Sequence, residues 1–388
     1  MLTSQVVAVI PTWLGVALNL AAAGYACVSL WAAYKSTRMG RSKPSATQAP
    51  PAHPVSVLKP LHGDEPRLYE NLRSFCVQAH PAYQLLFGVR EPGDPALAVV
   101  ERLRAEFPGR DIGLVIDPRV HGANFKVSNL INLLPHATHD WLVLADSDIS
   151  VSPDYLGRVT APLGDPGVGI VTCLYYGVPQ ENLWSRMGCL FIDDWFAPSV
   201  RLTHAFGSTR FAFGSTIALR RDTLATIGGF DALRDTLADD FWVGELSRRA
   251  GLKTILSDLE VGTEVSETDL SRLWAHELRW LRTIRAIAPA GFVLSVVCFT
   301  WPLLVLGLLL APTPLNLAVA LLGGGARVLR YVLQRRMSTP SSPWRDIWLS
   351  PWRDVLLLLE WATALVHWRV QWRGQVLHAR NHTPTRYS

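Results

Sequence analysis

Two carboxylates that directly follow an apolar run could hold a metal ion. Asp146 and Asp148 come after Trp141–Ala145, a pattern that predicts a buried strand ending in two acidic side chains. Hard oxygen ligands at positions i and i+2 suit Mg²⁺ or Mn²⁺, which bridges protein carboxylates to substrate phosphates. A turn or helix cap ahead of Ser152 is the alternative for this pair taken alone. The pair therefore predicts a metal site that needs support from other residues.

Two more polar groups follow further along the chain. Asp239 and Asp240 open a predicted helix that runs to Ala250, with Gly251 as its C-cap. N-capping is the alternative role for Asp239, whereas a functional role is preferred for Asp240. The third group, residues 276–280 with the sequence HELRW, stands just before an apolar block. A membrane-interface anchor is the alternative role for its tryptophan.

The segment before Asp146 must supply the elements that position these groups. Its pattern predicts alternating strands and helices: strands at 55–58, 84–89 and 113–116, and helices at 95–106 and 126–134. This alternation predicts a mostly parallel sheet with helices on both faces. Ligands bind beyond the carboxyl ends of the strands in such sheets, so Glu91, Asp94, Asp146 and Asp148 are expected to converge there.

Apolar segments at both ends of the chain predict a membrane protein. The 388 residues are 49% hydrophobic and 18% charged. Val6–Tyr34 carries no charge and is long enough for a bilayer-spanning helix, and a cleaved signal peptide is the disfavoured alternative. Basic residues follow this segment and flank the later blocks Ala286–Ala311 and Leu315–Leu333. The positive-inside rule therefore places the region between the membrane segments in the cytosol.

Charge and cysteine usage exclude other classes of protein. The net charge is +5, and the basic excess flanks the apolar segments instead of forming one stripe with interleaved aromatic residues. We therefore expect anionic lipid headgroups, and no nucleic acid, as partners. The five cysteines are scattered without a CxxC or Cys/His pairing, so neither a disulfide framework nor a zinc site is predicted.

Several short motifs stand in a specific order and spacing between Val55 and Gly374: SVLKPL at 56–61, GANFKV at 122–127, DSDI at 146–149, GGF at 228–230, the pair Asp239-Asp240, RWLRT at 279–283 and WRG at 372–374. With these motifs the chain resembles the ceramide glucosyltransferases, glycosyltransferase family 21, and their bacterial relatives, including the glycosyltransferases associated with hopanoid biosynthesis.

The resemblance implies a GT-A fold that uses a UDP-sugar and a divalent cation, Mg²⁺ or Mn²⁺, with inversion at the anomeric carbon. Asp146 and Asp148 would bind the metal, and Asp240 would be the base for the acceptor hydroxyl. Such a base is physically reasonable, because a lipid alcohol has a high pKa and needs a positioned proton acceptor. The substrate-binding residues are then expected to be Glu91, Asp94, Asp146 and Asp239, with Lys126 as a candidate ligand of phosphate or uridine, for which a solvated lysine at a helix start is the alternative.

The catalytic motif of the family, R/Q-x-x-R-W, would be formed by His276, Arg279 and Trp280. Arg279 would neutralise charge that develops at the diphosphate as UDP departs, and Trp280 would stack near a donor or acceptor ring. Two positions depart from the family pattern. Glu91 stands where an Asp is usual, which changes the reach of the carboxylate, and His276 replaces the usual Arg or Gln.

The predicted architecture is α/β: a GT-A, Rossmann-like cytosolic domain with a mostly parallel sheet, between N-terminal and C-terminal transmembrane or interfacial helices. The predicted boundaries are a transmembrane helix at 5–34, a linker at 35–54, the GT-A domain at 55–285, transmembrane helices at 286–311 and 314–335, and an interfacial or re-entrant segment at 342–374. The protein is expected to be a multi-pass protein of the cell (inner) membrane, with its catalytic domain facing the cytosol.

The function predicted on this basis is transfer of one sugar, glucose or N-acetylglucosamine, from a UDP-sugar to the hydroxyl of a membrane lipid such as ceramide or a hopanoid. Two alternatives remain open from the residues. One is a processive polysaccharide synthase, which shares the aspartate and R-W motifs. The other is a non-catalytic membrane protein that retains the nucleotide-sugar fold.

Overall fold

The computed structural model describes residues 2–39, 53–337, 344–366, 369–372 and 375–378 of the chain. These residues form two compact units. We call them the sheet unit, with the described residues of 53–176 and 208–264, and the helical unit, with those of 2–39, 177–207 and 265–378.

The strands, in chain order, are β1 Val55–Pro60, β2 Tyr83–Val89, β3 Asp111–Ile116, β4 Trp141–Leu144, β5 Ile149–Ser150, β6 Val168–Pro179, β7 Ile217–Arg220, β8 Lys253–Val265, β9 Arg369–Trp372 and β10 Gln375–His378. Among the described residues, β1 to β8 form one sheet in the order β3-β2-β1-β4-β7-β6-β8-β5, and β9 pairs with β10 in an antiparallel hairpin.

The helices, in chain order, are α1 Leu2–Met39, α2 Leu68–Cys76, α3 Ala96–Glu106, α4 Phe125–Leu133, α5 Tyr155–Thr160, α6 Leu183–Leu190, α7 Ala197–Ala205, α8 Arg221–Thr226, α9 Asp239–Arg249, α10 Leu270–Ile287, α11 Pro289–Leu294, α12 Thr300–Leu310, α13 Pro314–Met337 and α14 Ser350–Val366. A π-helix at Phe191–Phe196 joins α6 to α7, and a 3-10 helix at Trp344–Leu349 precedes α14.

The centre of the sheet is buried on both faces, as its apolar strands require. Side chains alternate along β1, so Val55 and Val57 pack into a core on one face while Leu58 packs into a second core on the other. Helices α2 and α3 cover the first core and α4 covers the second. Strands buried on both faces are typical of parallel sheets flanked by helices.

The sheet is parallel in its first half and antiparallel in its second. β1 pairs in parallel with both β2 and β4, and β2 pairs in parallel with β3. β7 then runs antiparallel to both β4 and β6, and β5 antiparallel to β8. The expectation of a mostly parallel sheet thus describes only the half built from β-helix-β units, and the pairs that involve β7 and β5 are antiparallel.

The parallel register decides where the candidate residues lie. Leu58 is the register partner of Leu86 on β2 and of Leu144 on β4. The carboxyl ends of these three strands therefore meet at one edge of the sheet, which we call the carboxyl edge. Asp146 follows β4 directly at this edge.

The helical unit contains apolar helices long enough to cross a membrane. Two such segments are found in the described chain, Ile10–Ser36 and Pro314–Arg336. A third is possible if Pro289–Cys298 and Thr300–Leu310, which are bent by 66° relative to each other, form one span. Helices cover the segments predicted at 5–34 and 314–335, whereas the segment predicted at 286–311 is a broken helix, and their crossing of a membrane stays a prediction. These lengths are consistent with a membrane-associated protein.

Buried ion pairs hold the π-helix within the helical unit. Asp194 on the π-helix accepts hydrogen bonds from Arg327 Nη2 at 2.8 Å and from Ser350 Oγ at 2.6 Å, and it also pairs with Arg330. Arg327 additionally contacts Asp354 on α14 at 2.9 Å. Each of these charges has an opposite partner, which burial in an apolar environment requires.

Candidate active site

Four aspartates and one lysine come together at the carboxyl edge of the sheet unit. Lys126 Nζ lies 2.5 Å from Asp146 Oδ1 and 3.6 Å from Asp239 Oδ2. Asp148 lies within electrostatic reach of Asp146, and Asp240 within reach of Asp239. We call the four carboxylates the acidic cluster. It contains residues from two predicted groups that are about 90 positions apart in the sequence.

Asn124 fixes the lysine and one aspartate of this site. Its side-chain oxygen caps α4 by accepting a hydrogen bond from Val127 N at 3.1 Å. Its side-chain nitrogen donates to Asp239 Oδ1 at 3.1 Å and to Thr236 O at 2.9 Å. The start of α4, which carries Lys126, is therefore tied to the start of α9, which carries Asp239.

Lys59 supports the turn that carries Asp146 and Asp148. It lies on β1 with no exposed surface, donates from Nζ to the carbonyl oxygen of Asp146 at 2.7 Å, and stands 3.7 Å over the ring of Phe75. Burial lowers the pKa of Lys59 to about 7, although Asp148 and Asp146 oppose this shift. A lysine inside an apolar strand gave no functional signal in the sequence beyond its place in the SVLKPL motif.

Asp148 is the most strongly perturbed member of the acidic cluster. Burial, followed by the charges of Asp146 and Glu65, raises the pKa of Asp148 to about 7. Thr263 Oγ1 on β8 donates to its Oδ2 at 2.9 Å and partly offsets this rise. Without a cation beside it, this carboxyl group is therefore only partly ionised at neutral pH.

Asp240 is held by the backbone of two different segments. Its Oδ2 accepts from Gly214 N at 3.0 Å, and its Oδ1 accepts from Phe241 N at 2.8 Å. Burial and then the charge of Asp239 raise the pKa of Asp240 to about 6, while Lys126 acts in the opposite direction. A carboxyl group with a pKa near neutrality is well matched to proton transfer.

The charge of the site fits a divalent cation. Burial would lower the pKa of Lys126, but Asp146 and Asp239 outweigh it and raise that pKa, so this ammonium stays charged. The four carboxylates face two ammonium groups, Lys59 and Lys126, which leaves a deficit of about two positive charges when all are ionised. The donors next to Asp146 are oxygen atoms, and Lys126 already places a cation against them.

The metal would not be held by protein side chains alone. In the described parts of the chain, no group of three or more His, Cys, Asp or Glu side chains is arranged to hold a metal ion. Mg²⁺ and Mn²⁺ are commonly bound by one or two carboxylates together with substrate phosphates and water. Asp146 and Asp148 fit that type of site.

Glu91 and Asp94 have their contacts outside the acidic cluster. Glu91 is 63% exposed and pairs with Arg90 at 2.7 Å. Asp94 accepts from Gly63 N at 3.0 Å and from Ala96 N at 2.9 Å, so it joins the loop after β1 to the start of α3. The hydrogen bonds of Asp94 thus stabilise the local backbone at the carboxyl edge. Substrate contact by Glu91 or Asp94 stays a prediction.

The HELRW motif lies on α10 in the helical unit. His276 Nδ1 pairs with Glu267, which is largely buried, and the His276 ring stands edge-on to Trp280 at 4.8 Å. Burial opposes the ionisation of Glu267, but the hydrogen bond from His276 outweighs it and holds the pKa of Glu267 below its usual range. The residue that departs from the motif is therefore itself oriented by a carboxylate that the sequence did not single out.

Comparison with known proteins identifies the family. The model of glycosyl transferase family 21 matches residues 14–384. The chain belongs to glycosyl transferase family 21. It is 25% identical to ceramide glucosyltransferase 3 of Caenorhabditis elegans over 239 residues, which is 61% of this chain and 51% of that protein. It is 30% identical to the ceramide glucosyltransferase of Candida albicans over 114 residues, which is 26% of this chain and 21% of that protein.

The chain spans about half the length of the first of these family 21 relatives. Among solved structures, it is similar to a mannosyltransferase from Pyrobaculum calidifontis in complex with GDP-mannose and Mn²⁺. The TM-score is 0.53 at 18% identity, and the likeness covers 92% of this chain and 96% of that one. At this identity the likeness shows the fold, so the family 21 chain has a GT-A fold, as the motifs implied.

Proposed function

We propose that this chain is a membrane-bound inverting glycosyltransferase. It moves one sugar, glucose or N-acetylglucosamine, from a UDP-sugar to the hydroxyl of a lipid such as ceramide or a hopanoid. The observation that carries this proposal is the acidic cluster with Lys126 at the carboxyl edge of a GT-A sheet, in a chain of family 21. The similar mannosyltransferase, solved with GDP-mannose and Mn²⁺, supports a nucleotide-sugar donor and a divalent cation.

The donor would bind against Asp146, Asp148 and Lys126. The two carboxylates would hold Mg²⁺ or Mn²⁺, which when bound neutralises charge that develops on the departing diphosphate. Lys126 adds a fixed positive charge beside Asp146 and can pair with a phosphate oxygen. Asp239 and Asn124 keep that ammonium in place. Arg279 would neutralise charge that develops on the diphosphate as it departs, as its motif implies.

Asp240 would take the proton of the lipid hydroxyl. Both of its oxygens are fixed by backbone N–H groups, so the carboxylate is oriented before the acceptor arrives. A single displacement by this hydroxyl inverts the anomeric carbon. The apolar helices of the helical unit would keep the enzyme in the inner membrane, and the basic residues beside them favour a cytosolic catalytic domain.

A transfer assay with the full chain in lipid nanodiscs tests this proposal. We expect UDP-glucose or UDP-N-acetylglucosamine with Mn²⁺ to give, on ceramide or a hopanoid, a product heavier by one hexose or one N-acetylhexosamine, with the inverted anomer by NMR. Polymeric product would favour a processive polysaccharide synthase instead. Binding of UDP-sugar without transfer to any offered lipid would favour a non-catalytic protein.

Gly214 offers a sharper test of the site geometry. A Cβ at this position would lie 2.8 Å from Asp146 Oδ2 and 3.0 Å from Lys126 Nζ. Both atoms are ends of flexible side chains, so Gly214→Ala should fold with little loss of stability but separate the pair. We expect the affinity for UDP and Mn²⁺ to fall by about tenfold, because the charges at the diphosphate are displaced. Calorimetric titration checks this, with Gly157→Ala, where a Cβ meets open space, as the matched control.

A further inference from the structure

Helix α10 uses one face to pack and another to carry the HELRW residues. Its buried positions are Leu273, Glu277, Leu278, Leu281 and Arg285. Arg279 follows Glu277 by two residues, which is about 200° around a helix. The side of α10 that is anchored in the helical unit is therefore opposite to the side on which Arg279 lies.

A buried charged group joins this anchored side to α14. Arg353 Nη2 on α14 pairs with Glu277 and donates to Glu360 Oε2 at 2.9 Å. The side chains of Glu277, Arg353 and Glu360 are 5%, 1% and 0% exposed. We call these residues the triad. One guanidinium thus faces two carboxyl groups away from water, and burial raises the pKa of Glu277 well above its usual range.

A second contact fixes the same two helices two turns further along. Arg285, eight residues after Glu277, donates from Nη1 to the carbonyl oxygen of Ala364 on α14. Two contacts at this spacing set both the rotation of α10 and its position along α14. Trp280 lies between them on α10.

Arg353 also reaches the motif through an aromatic contact. Its guanidinium carbon lies 5.5 Å from the centre of the Phe191 ring on the π-helix. The Phe191 ring lies 5.5 Å from the ring of Trp280 at 61°. A continuous series of contacts therefore runs from Arg353 to Trp280 and on to His276.

The other face of α14 has the polarity expected of a surface in lipid. Trp348 in the preceding 3-10 helix is 79% exposed, and on α14 Trp352 is 70% and Leu359 54% exposed, while Arg353 and Glu360 point inward. Apolar residues on the exposed side and charged residues on the buried side reverse the arrangement found in a helix that faces water. Tryptophan at such positions is typical of membrane interfaces. Helix α14 therefore joins a lipid-facing surface to the motif helix.

We propose that Arg353 is a positioning residue for sugar transfer, which holds Arg279 and Trp280 in their working orientation through Glu277 and Phe191. This inference rests on the proposed function. The triad acts by fixing α10 and takes no part in the chemistry. Its loss should lower kcat, since the motif would be displaced, and leave donor binding by the acidic cluster intact.

The charge of the triad decides which variant gives a clean test. Arg353→Met alone would leave two buried carboxyl groups without their cation, which destabilises the fold independently of any effect on the motif. The triple variant E277Q/R353M/E360Q removes all three ionisable groups together, and such neutral replacements are often tolerated. The matched control is R186M/D346N, which neutralises another ion pair of the helical unit, between α6 and the 3-10 helix before α14.

The experiment compares the wild type, the triple variant and the control in nanodiscs. We expect the triple variant to melt close to the wild type and its kcat to fall about 100-fold, the loss that a displacement of roughly 1 Å produces. Its KM for UDP-sugar should stay within about twofold, because donor binding is unchanged. Hydrogen exchange in α10 should become faster in the triple variant and not in the control.

A folded triple variant with wild-type kcat would overturn the proposal, as would an equal loss of kcat in the control. Failure of the proposed function has a different signature, because the wild type would then transfer no sugar to any lipid. In that case hydrogen exchange still tests whether the triad fixes α10. Unchanged protection of α10 in the triple variant would show that the triad does not hold the motif helix.

Discussion

Replacing Asp240 by Asn is expected to lower kcat for sugar transfer by about 10²- to 10⁴-fold, the contribution typical of a positioned general base. The side chain of Asn has the same shape and keeps an oxygen that can accept from Gly214 N, as Asp240 Oδ2 does at 3.0 Å. The substitution therefore removes the basic oxygen at the cost of one local hydrogen bond, because the Asn amide nitrogen cannot accept from Phe241 N. Affinity for UDP and Mn²⁺ should stay close to that of the wild type.

The pH profile gives this prediction a second readout. The pKa of Asp240 is raised to about 6 by burial and by Asp239, and the base must be ionised to accept a proton. In the wild type, kcat should therefore rise with pH up to about 6 and level off above it, and Asp240→Asn should lose that rise. Stopped assays between pH 5 and 8 at saturating donor would measure both profiles.

Asp239→Asn is the matched control for Asp240→Asn. Asp239 stands beside Asp240, at 3.6 Å from Lys126 and 3.1 Å from Asn124, so its role is to hold those side chains. We expect its loss to weaken donor binding more than it lowers kcat. If Asp240→Asn kept full activity, or if both variants showed the same profile, Asp240 would not be the base.

The first half of the sheet could be predicted because its signals are local. The apolar runs at 55–58, 84–89 and 113–116 correspond to β1, β2 and β3, and the run before Asp146 corresponds to β4. Strand ends and polar residues could be placed from the same pattern, since the carboxyl ends of parallel strands share one edge. Asp146 was singled out in this way, whereas Asp239 and Lys126 were singled out at the starts of predicted helices, and the structure brings the three together.

The parts that could not be predicted depend on contacts between distant segments. Lys59 donates a hydrogen bond to the carbonyl oxygen of Asp146, and Thr263 donates one to the side chain of Asp148. Each lies within a strand, and the pattern of apolar and polar residues in that strand does not indicate the contact. The residue types of β6, β7 and β8 do not reveal that these strands pair in an antiparallel direction. Nothing in the residue pattern indicates that 177–207 belongs to a different unit from the strands on either side.

The triad shows the same limit for charged residues near apolar segments. Glu360 is an acidic residue in an otherwise apolar stretch of the sequence, and its partner Arg353 lies seven positions before it, two helical turns away. The spacing alone allows that pair. It does not reveal Glu277, which is 76 residues from Arg353 and completes the group. Buried charges are balanced across elements, so their partners emerge only from the tertiary structure.

Asp148→Asn is expected to stabilise the metal-free protein while it abolishes the stabilisation by Mn²⁺. The pKa of Asp148 is raised to about 7 in the metal-free fold, so this carboxylate opposes folding wherever it is ionised. Relative to an unfolded value of about 4, the penalty is absent below pH 4, grows between pH 4 and 7, and is complete above 7. The Asn side chain carries no charge, so the substitution removes this penalty.

The size of this gain follows from the same shift. A pKa raised by about three units corresponds to a loss of roughly 4 kcal/mol in the free energy of unfolding. Because the Asp148 side chain is partly accessible to water, we expect Asp148→Asn to recover about 1–2 kcal/mol at pH 8. Thermal unfolding without metal should therefore show a higher Tm for Asp148→Asn at pH 8 and the same Tm as the wild type at pH 4. Asp258→Asn, at a carboxylate 46% exposed on β8, is the control that should change neither.

Addition of Mn²⁺ should reverse the order of the two proteins. A cation that binds only the folded state raises the stability of the wild type, and the variant lacks one of the two oxygen ligands that would hold it. The wild type should then melt above Asp148→Asn at pH 8, and transfer activity should be lost in the variant. A variant that is less stable without metal, or that still gains stability from Mn²⁺, would contradict the assignment of Asp148 as a metal ligand. The expected instability of the acidic cluster without metal is thus the physical counterpart of the affinity for a divalent cation that we predict, since both arise from carboxylates that outnumber the nearby cations.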